Sequence, residues 1–405
     1  MINNISFTNY KSFKAEQTLE LKPITIIIGK NSSGKSAIAK LPVFIENSLH
    51  NVMDEPYTLE YNDVQFGGDY RDVFFERIPN AVLEFKIVSD SGDTLIVKIV
   101  SDFEKNTIPT IISWQYNRTT NLIYNPADGK YTNLVDKKVY KINFDGFEPS
   151  TVIDENGEEV SLYVPTGNLR SKTDYIGPFR VYANTMRTFQ VRSLRNITSV
   201  GVNGEDAYTI LGVESLKSKS DLIESVSNWY KENFDGWGIH VNSDLQPHYS
   251  IELTREDRKF NVNIADVGQG MSQALPLIVS AFLPNSEQLT IIEQPELHLH
   301  PAAHGNLAEL FAKSAINFNK KYLIETHSQN FVLRLRRLIA EGEFSSSDLR
   351  IYWVDYDGES NSSSLKTIEV NEFGEVEFWP PNIFSETLDE TLAMRTAQNQ
   401  RKNAN

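Results

Sequence analysis

Apolar and polar positions alternate along much of the chain, and the period of that alternation changes with region. Ile2–Tyr10 alternates with period two and reads as a strand; Gln17–Ile28 reads as a second strand after a turn. Its end, Ile24-Thr25-Ile26-Ile27-Ile28, is nearly continuous in apolar character, as expected of a strand buried on both faces. Residues 35–50 follow as a helix. Between 81 and 165 short strands dominate. Ala81–Val88 and Thr94–Val100 flank Ser89-Asp90-Ser91-Gly92-Asp93, which predicts a hairpin. Further turns are expected at Asp128-Gly129, Asp145-Gly146 and Asp154–Gly157. Over 205–235 the period lengthens: Leu222, Ile223, Val226, Trp229 and Tyr230 recur at helical spacing. Strands resume from Gly238 to Ile264. The rest alternates: helix from Ser272, strand Leu289–Ile292, helix from Pro301, strand Tyr322–Ile324, helix from Gln329. Such alternation implies parallel strands. The polar tail Gln398–Asn405 is expected to fray.

Composition narrows the classes. The 405 residues suffice for a large core. No apolar run approaches the roughly 18 residues of a membrane span, and Met1–Tyr10 lacks a signal-peptide core. The absence of cysteine removes disulfides, thiolate zinc sites and thiol catalysis and fits the cytoplasm. With 39 basic and 54 acidic residues the net charge is −15, so the surface repels nucleic acid on average.

The densest chemistry lies at Gly29-Lys30-Asn31-Ser32-Ser33-Gly34-Lys35-Ser36, which fits GxxxxGK[ST] between a buried strand and a helix. Backbone N–H groups and a helix N-terminus there can cradle phosphates. Lys35 can reach the β- and γ-phosphates of ATP, and the Ser36 hydroxyl can hold Mg²⁺. A second buried strand, Leu289–Ile292, ends in Glu293-Gln294-Pro295-Glu296, where Glu293 would bind Mg²⁺. A third ends in Glu325-Thr326-His327-Ser328, where His327 could contact the γ-phosphate or orient water. Asp266–Gln273 is a glycine-containing turn opening a helix, a second candidate phosphate site.

This order of motifs, with Glu-Leu-His-Leu-His-Pro at 296–301 and the opening Phe7-Thr8-Asn9-Tyr10-Lys11-Ser12-Phe13, resembles the ABC-type ATPase heads. Within them it is similar to the SMC-like and OLD-like (overcoming lysogenization defect) bacterial AAA ATPases, including those of anti-phage systems. The stretches Phe331–Glu343 and Gly374–Phe384 resemble a C-terminal region found on some of these ATPases. The resemblance implies an α/β P-loop NTPase with a parallel core sheet and an antiparallel β layer. Its parts would be 1–80 and 261–345 as two halves of the head, 81–200 as β layer or insertion, 201–260 as helical segment and strands, and 346–405 as extension. It implies that Gly268, Gly270 and Ser272 form a signature loop for the nucleotide held by another protomer. Gln65 would be the glutamine that senses Mg²⁺ and water, and His327 the switch histidine. Such heads usually carry Asp-Glu where this chain has Glu293-Gln294. An amide cannot accept the water proton, so either Glu296 takes that role or the head is a slow, ATP-held clamp. OLD-type proteins also carry a Toprim nuclease; the residues after Ser328 are too few for one, and Asp355 and Asp357 read as a surface turn. The implied protein is a homodimer or higher oligomer controlling a separate nuclease, toxin or retron component. A DNA-maintenance ATPase is the alternative, with Arg334-Leu335-Arg336-Arg337 as its basic segment.

Overall fold

A computed structural model of the chain describes residues 1–50, 53–78, 80–101, 108–162, 166–180, 188–190, 197–244, 248–258, 260–284, 288–381, 383–384 and 386–404. The chain opens with β1 (Ile2–Thr8), β2 (Gln17–Glu20), β3 (Ile24–Gly29) and helix α1 (Lys35–His50). The small hairpin β4 (Glu60–Tyr61) and β5 (Val64–Gln65) follows. Next come β6 (Leu83–Ser89), β7 (Thr94–Val100), β8 (Thr110–Tyr116), β9 (Thr120–Asn125), β10 (Lys130–Asn133), β11 (Val139–Asp145) and β12 (Glu148–Ile153). Then come β13 (Lys172–Ile176), β14 (Phe189–Gln190), α2 (Asp206–Glu214), α3 (Asp221–Asn233), β15 (Gly238–Asn242), β16 (His248–Thr254) and β17 (Val262–Asn263). The remainder is α4 (Gln269–Phe282), β18 (Gln288–Glu293), α5 (Pro301–Phe318), β19 (Lys321–Glu325), α6 (Gln329–Ala340), β20 (Leu349–Asp357), β21 (Ser362–Ile368) and α7 (Glu386–Ala404).

Two sheets carry the architecture. One is antiparallel, in the order β12-β11-β10-β9-β8-β7-β6-β1-β2. The other runs β13-β18-β19-β3-β20-β21, with every pair parallel except the last. The isoleucine run of β3 serves both faces of this second sheet. Ile24, Ile26 and Ile28 pack with Leu275, Ile278, Leu307 and Phe331 of α4, α5 and α6. Ile27 packs with Ile38, Leu41 and Ile45 of α1 and with the antiparallel layer. A strand with helices on one face and a helix and sheet on the other has no polar side, which is why its sequence does not alternate.

Several elements differ from the sequence reading. Gln17–Ile28 is two strands, because Pro23 offers no N–H and the chain passes there from one sheet to the other. The helical stretch 205–235 is two helices. The second is started by Ser220, whose hydroxyl accepts from the Ile223 N–H at 3.2 Å. The helix expected from Ser272 begins three residues earlier. The tail is helical through Ala404, consistent with its Glu, Leu, Ala, Gln and Arg content, and residues 389–401 are exposed. β13 forms the edge of the parallel sheet, and β20 lies directly against β3. Residues within the expected middle layer and C-terminal extension therefore supply strands to the P-loop sheet.

At the sheet edge Asp174 is buried. It accepts from the Ser199 hydroxyl at 2.5 Å, and burial pushes its carboxyl up to about 6 against the pull of Ser199 and Lys320. A raised carboxyl binds its proton more tightly in the folded state. Wild-type stability should therefore fall relative to Asp174→Asn as pH rises from about 4 to about 6. Urea unfolding of both proteins across that window measures the difference.

Candidate functional site

β3 ends at Gly29 and delivers the loop Lys30–Gly34 to the first turn of α1. Two glycines are needed for different reasons. A Cβ on Gly29 would lie 2.6 Å from the Val354 carbonyl oxygen on β20. Gly34 has φ +103, and a Cβ there would lie 2.5 Å from Ser12 Oγ. The loop is also braced from the C-terminal hairpin: Ser363 Oγ donates to the Ser33 carbonyl at 2.7 Å, and Ser363 N–H donates to the Ser12 carbonyl at 2.7 Å. Lys30, Asn31 and Ser32 are exposed, while Ser33 and Lys35 are buried. Lys35 Nζ donates to the Lys30 carbonyl at 2.7 Å, so the side chain curls under its own loop. A groove of about 390 Å³ borders the loop, lined by Lys11, Ser32, Gly34, Phe75, Arg77 and Tyr356.

The acids stand at the carboxyl ends of neighbouring strands. Glu293 of β18 and Glu325 of β19 are register partners, and Glu325 pairs with Ile27 of β3 on its other side. The Ser36 hydroxyl donates to Glu325 Oε2 at 2.9 Å. Tyr175 of β13 donates its hydroxyl to Glu293 Oε1 at 2.6 Å. Burial and the Glu293 charge push Glu325 up to about 7, with Lys35 and Ser36 opposing. Burial also raises Glu293 and lowers Lys35, whose charge both acids help to retain. Sequence reading named Glu293 and missed Glu325. The signal was the same, an acid at the end of an apolar strand, but the Thr-His-Ser that follows drew attention away.

The other predicted residues gather less evenly. Gln294 has φ +47, and its N–H donates to the Glu325 carbonyl at 2.8 Å. Glu296 accepts from the His327 N–H at 2.5 Å and the Thr326 hydroxyl at 2.9 Å, so its carboxylate ties the β18 loop to the turn after β19. His327 is exposed overall, and its partial burial and the nearby Lys35 charge lower its pKa. Gln65 ends β5 with its side chain exposed; its carbonyl accepts from Lys40 at 3.4 Å. Gly268 caps α4 without a side-chain partner and is exposed, and its carbonyl accepts from the Met271 N–H at 3.1 Å. A Cβ on Gly270 would lie 2.8 Å from the His298 carbonyl, so this turn packs on the loop after β18. Ser272 is fully buried, its hydroxyl directed to the Gln269 carbonyl at 3.2 Å.

Oxygen donors of Ser36, Glu293 and Glu325 around a buried lysine suit a hard divalent cation shared with a phosphate. Among the described residues no cluster of three His, Cys, Asp or Glu is arranged to hold a metal by itself. Such a cation would arrive with its phosphate ligand.

A family model described as AAA ATPase domain matches residues 1–177 and 180–332. A Helicobacter pylori protein named ATP/GTP phosphatase is 22% identical over 374 residues, covering 85% of this chain and 90% of the relative. An SMC head bound to the C-terminal winged-helix domain of ScpA covers 92% of this chain and 98% of its own, with TM-score 0.48 and 12% identity. The SMC head domain from Thermotoga maritima covers 91% and 99%, with TM-score 0.43 and 11% identity.

Gly34→Ala should be costly through both its φ and its contact with Ser12. We expect a stability loss of about 1–3 kcal/mol in urea unfolding and a larger loss of nucleotide affinity in calorimetry. Wild-type values in both assays would sink the account of this turn.

Proposed function

The chain belongs to the AAA ATPase domain family, and from that premise we propose that this ATPase is a switch that holds ATP between two copies and signals to a separate effector. One observation carries the nucleotide chemistry. Ser36 at the start of α1 bonds Glu325 at the end of β19, Glu293 of β18 is the register partner of Glu325, and the charges of both acids act on Lys35, which bonds the loop at Lys30. Two adjacent buried acids are poorly suited to ionise together. A Mg²⁺ ion held by Ser36 with Glu293 and Glu325, and approached by Gln65, would neutralise them and the β/γ-phosphate oxygens at once.

In hydrolysis, the oxygen of water bonds to the γ-phosphorus, the bond from that phosphorus to the β–γ bridging oxygen breaks, and a water proton passes to a base. Lys35 leaves the Lys30 carbonyl for the phosphates. The loop N–H groups take the charge on the β-phosphate, and His327 orients the γ-phosphate or the water. Gln294 stands where a carboxylate would be the base. Glu296 is the acid we assign in its place, and its present bonds to His327 N–H and Thr326 must loosen for it to serve. That requirement and the amide together make turnover slow, as suits a switch held closed by ATP.

Gly268 and Gly270 at the start of α4, which lacks a side-chain cap, are assigned to the γ-phosphate of a second copy, with Ser272 acting through the helix start because its hydroxyl is buried. The effector is proposed as a nuclease, toxin or reverse-transcriptase component of an anti-phage system in the cytoplasm. The alternative, an ATPase acting on DNA, loses support at its basic segment. Arg334 pairs with Glu309 at 2.6 Å, Arg337 with Glu341 at 3.1 Å, and Arg336 donates to the Gly374 carbonyl at 2.7 Å. Those guanidinium groups are already engaged within the chain. No helix among the described residues is long and apolar enough to cross a membrane.

Light scattering should show the mass doubling, or a pre-formed dimer contracting in small-angle scattering, when Mg·ATP is added. Lys35→Ala, which removes the cation for the phosphates, should bind no ATP and show neither change. ATP-independent behaviour of the wild type would end the switch model. Separately, Glu296→Gln should lower kcat by roughly 10²–10⁴-fold with ATP binding kept, and Gln294→Glu should raise it. Full turnover in Glu296→Gln would remove Glu296 as the base.

A further inference from the structure

The segment following β13 contains a buried cation that the phosphate chemistry leaves unused. Arg180 is 4% exposed. Its Nη2 donates to two successive carbonyls, Glu293 at 2.9 Å and Gln294 at 2.8 Å. Its Nε and Nη1 are buried with no acceptor among the described residues. Its own carbonyl accepts from Gln273 Nε2 on α4 at 3.1 Å, and Gln273 Oε1 is likewise buried without a partner.

As a device for stability alone this arrangement is poor. A buried guanidinium with donors left open carries a large desolvation penalty, and an apolar side chain of similar volume would remove it. Burial pulls Arg180 down to about 10, against the Glu296 charge. What the position offers is control of one turn. Gln294 holds φ +47, a conformation that a non-glycine residue keeps only when its surroundings enforce it. β19 takes its N–H through the Glu325 carbonyl, and Arg180 donates to the two carbonyls that flank the Gln294 Cα, those of Glu293 and Gln294. Tyr175, five residues before Arg180, holds the Glu293 carboxylate itself. The turn that carries Glu293 to Glu296 is thus fixed by the 175–180 segment, and that segment is fixed to α4.

We propose that Arg180 is a positioning residue for ATP hydrolysis, setting the Glu293–Gln294 turn and coupling it through Gln273 to the start of α4. It touches neither nucleotide nor metal; it acts through the backbone of the residues that do. The proposal rests on the ATPase reading above. A misplaced catalytic turn lowers the rate of the chemical step, and an error of about 1 Å is enough to cost roughly 100-fold. Binding of the nucleotide depends on the loop 29–36 and should change little.

The test uses the full chain with Arg180→Met, Arg180→Lys and Gln273→Leu. ATP turnover is measured alongside affinity for a non-hydrolysable ATP analogue with Mg²⁺. Arg180→Met should lower kcat by about 10-fold or more while analogue affinity stays within about threefold. Arg180→Lys, with one charged nitrogen in place of the fork, should fall between it and wild type. Gln273→Leu should lower kcat in the same way, and the double variant should lose less than the product of the two single losses. Unchanged kcat in Arg180→Met, or a fall matched by an equal loss of affinity, overturns the proposal. If Arg180→Met does not fold, Arg180→Lys and Gln273→Leu decide: lowered kcat at constant affinity supports it, and unchanged kcat in both overturns it. A wild-type chain that binds the analogue but never turns over ATP would instead fail the hydrolysis reading, a result read before any variant is compared.

Discussion

Two carboxylates at the ends of adjacent parallel strands, facing one buried ammonium, set the terms for the rest of this molecule. Glu293 and Glu325 are register partners, and neither sits comfortably as an anion so close to the other and so far from water. The groups around them answer that difficulty one at a time. The Ser36 hydroxyl donates to Glu325, the Tyr175 hydroxyl to Glu293, and Lys35 lends charge to both. The proposed cation and phosphate would add positive charge and hydrogen-bond partners to the same cluster.

The loop above the acids is held by elements distant in sequence. Ser12, in the turn between β1 and β2, crowds Gly34. Ser363, on the last strand of the sheet, grips the carbonyl of Ser33. The β20 backbone closes on Gly29. Each contact fixes a different part of the loop, and together they fix its shape before any nucleotide arrives. Preorganisation of this kind matters where catalysis consists chiefly of positioning and charge stabilisation.

Much of this was legible in the sequence because local physics dictated it. The nearly continuous apolar run before Gly29 read as a strand covered on both faces, and the glycine spacing after it as a close backbone approach to phosphates. The parallel half followed from the helix and strand alternation read from Ser272 to the helix opening at Gln329. What the sequence hid depended on partners across the fold. Nothing local marks Lys172–Ile176 as an edge strand of the parallel sheet, or Arg180 as the residue that holds the β18 turn. Asp355 and Asp357 read as a surface turn, yet they end the strand Leu349–Asp357, and only the paired register shows that this strand borders β3. Ser272 looked like a ligand and lies buried, because helix α4 begins three residues earlier than its apolar pattern suggested. Glu296, read as the candidate base, is tied to the His327 turn.

The place of β3 between β19 and β20 bears on how the chain reaches this state. As the ribosome releases the polypeptide, the isoleucine strand emerges long before its two lateral neighbours, Lys321–Glu325 and Leu349–Asp357. Until those neighbours emerge, this apolar strand has both hydrogen-bonding edges open. The antiparallel strands β6–β12 pair with near neighbours and can form early, but the P-loop sheet must wait for contacts of high sequence separation. The chain should therefore acquire nucleotide affinity in a single late step, and its nascent form should lean on holding chaperones until residue 357 is clear of the tunnel.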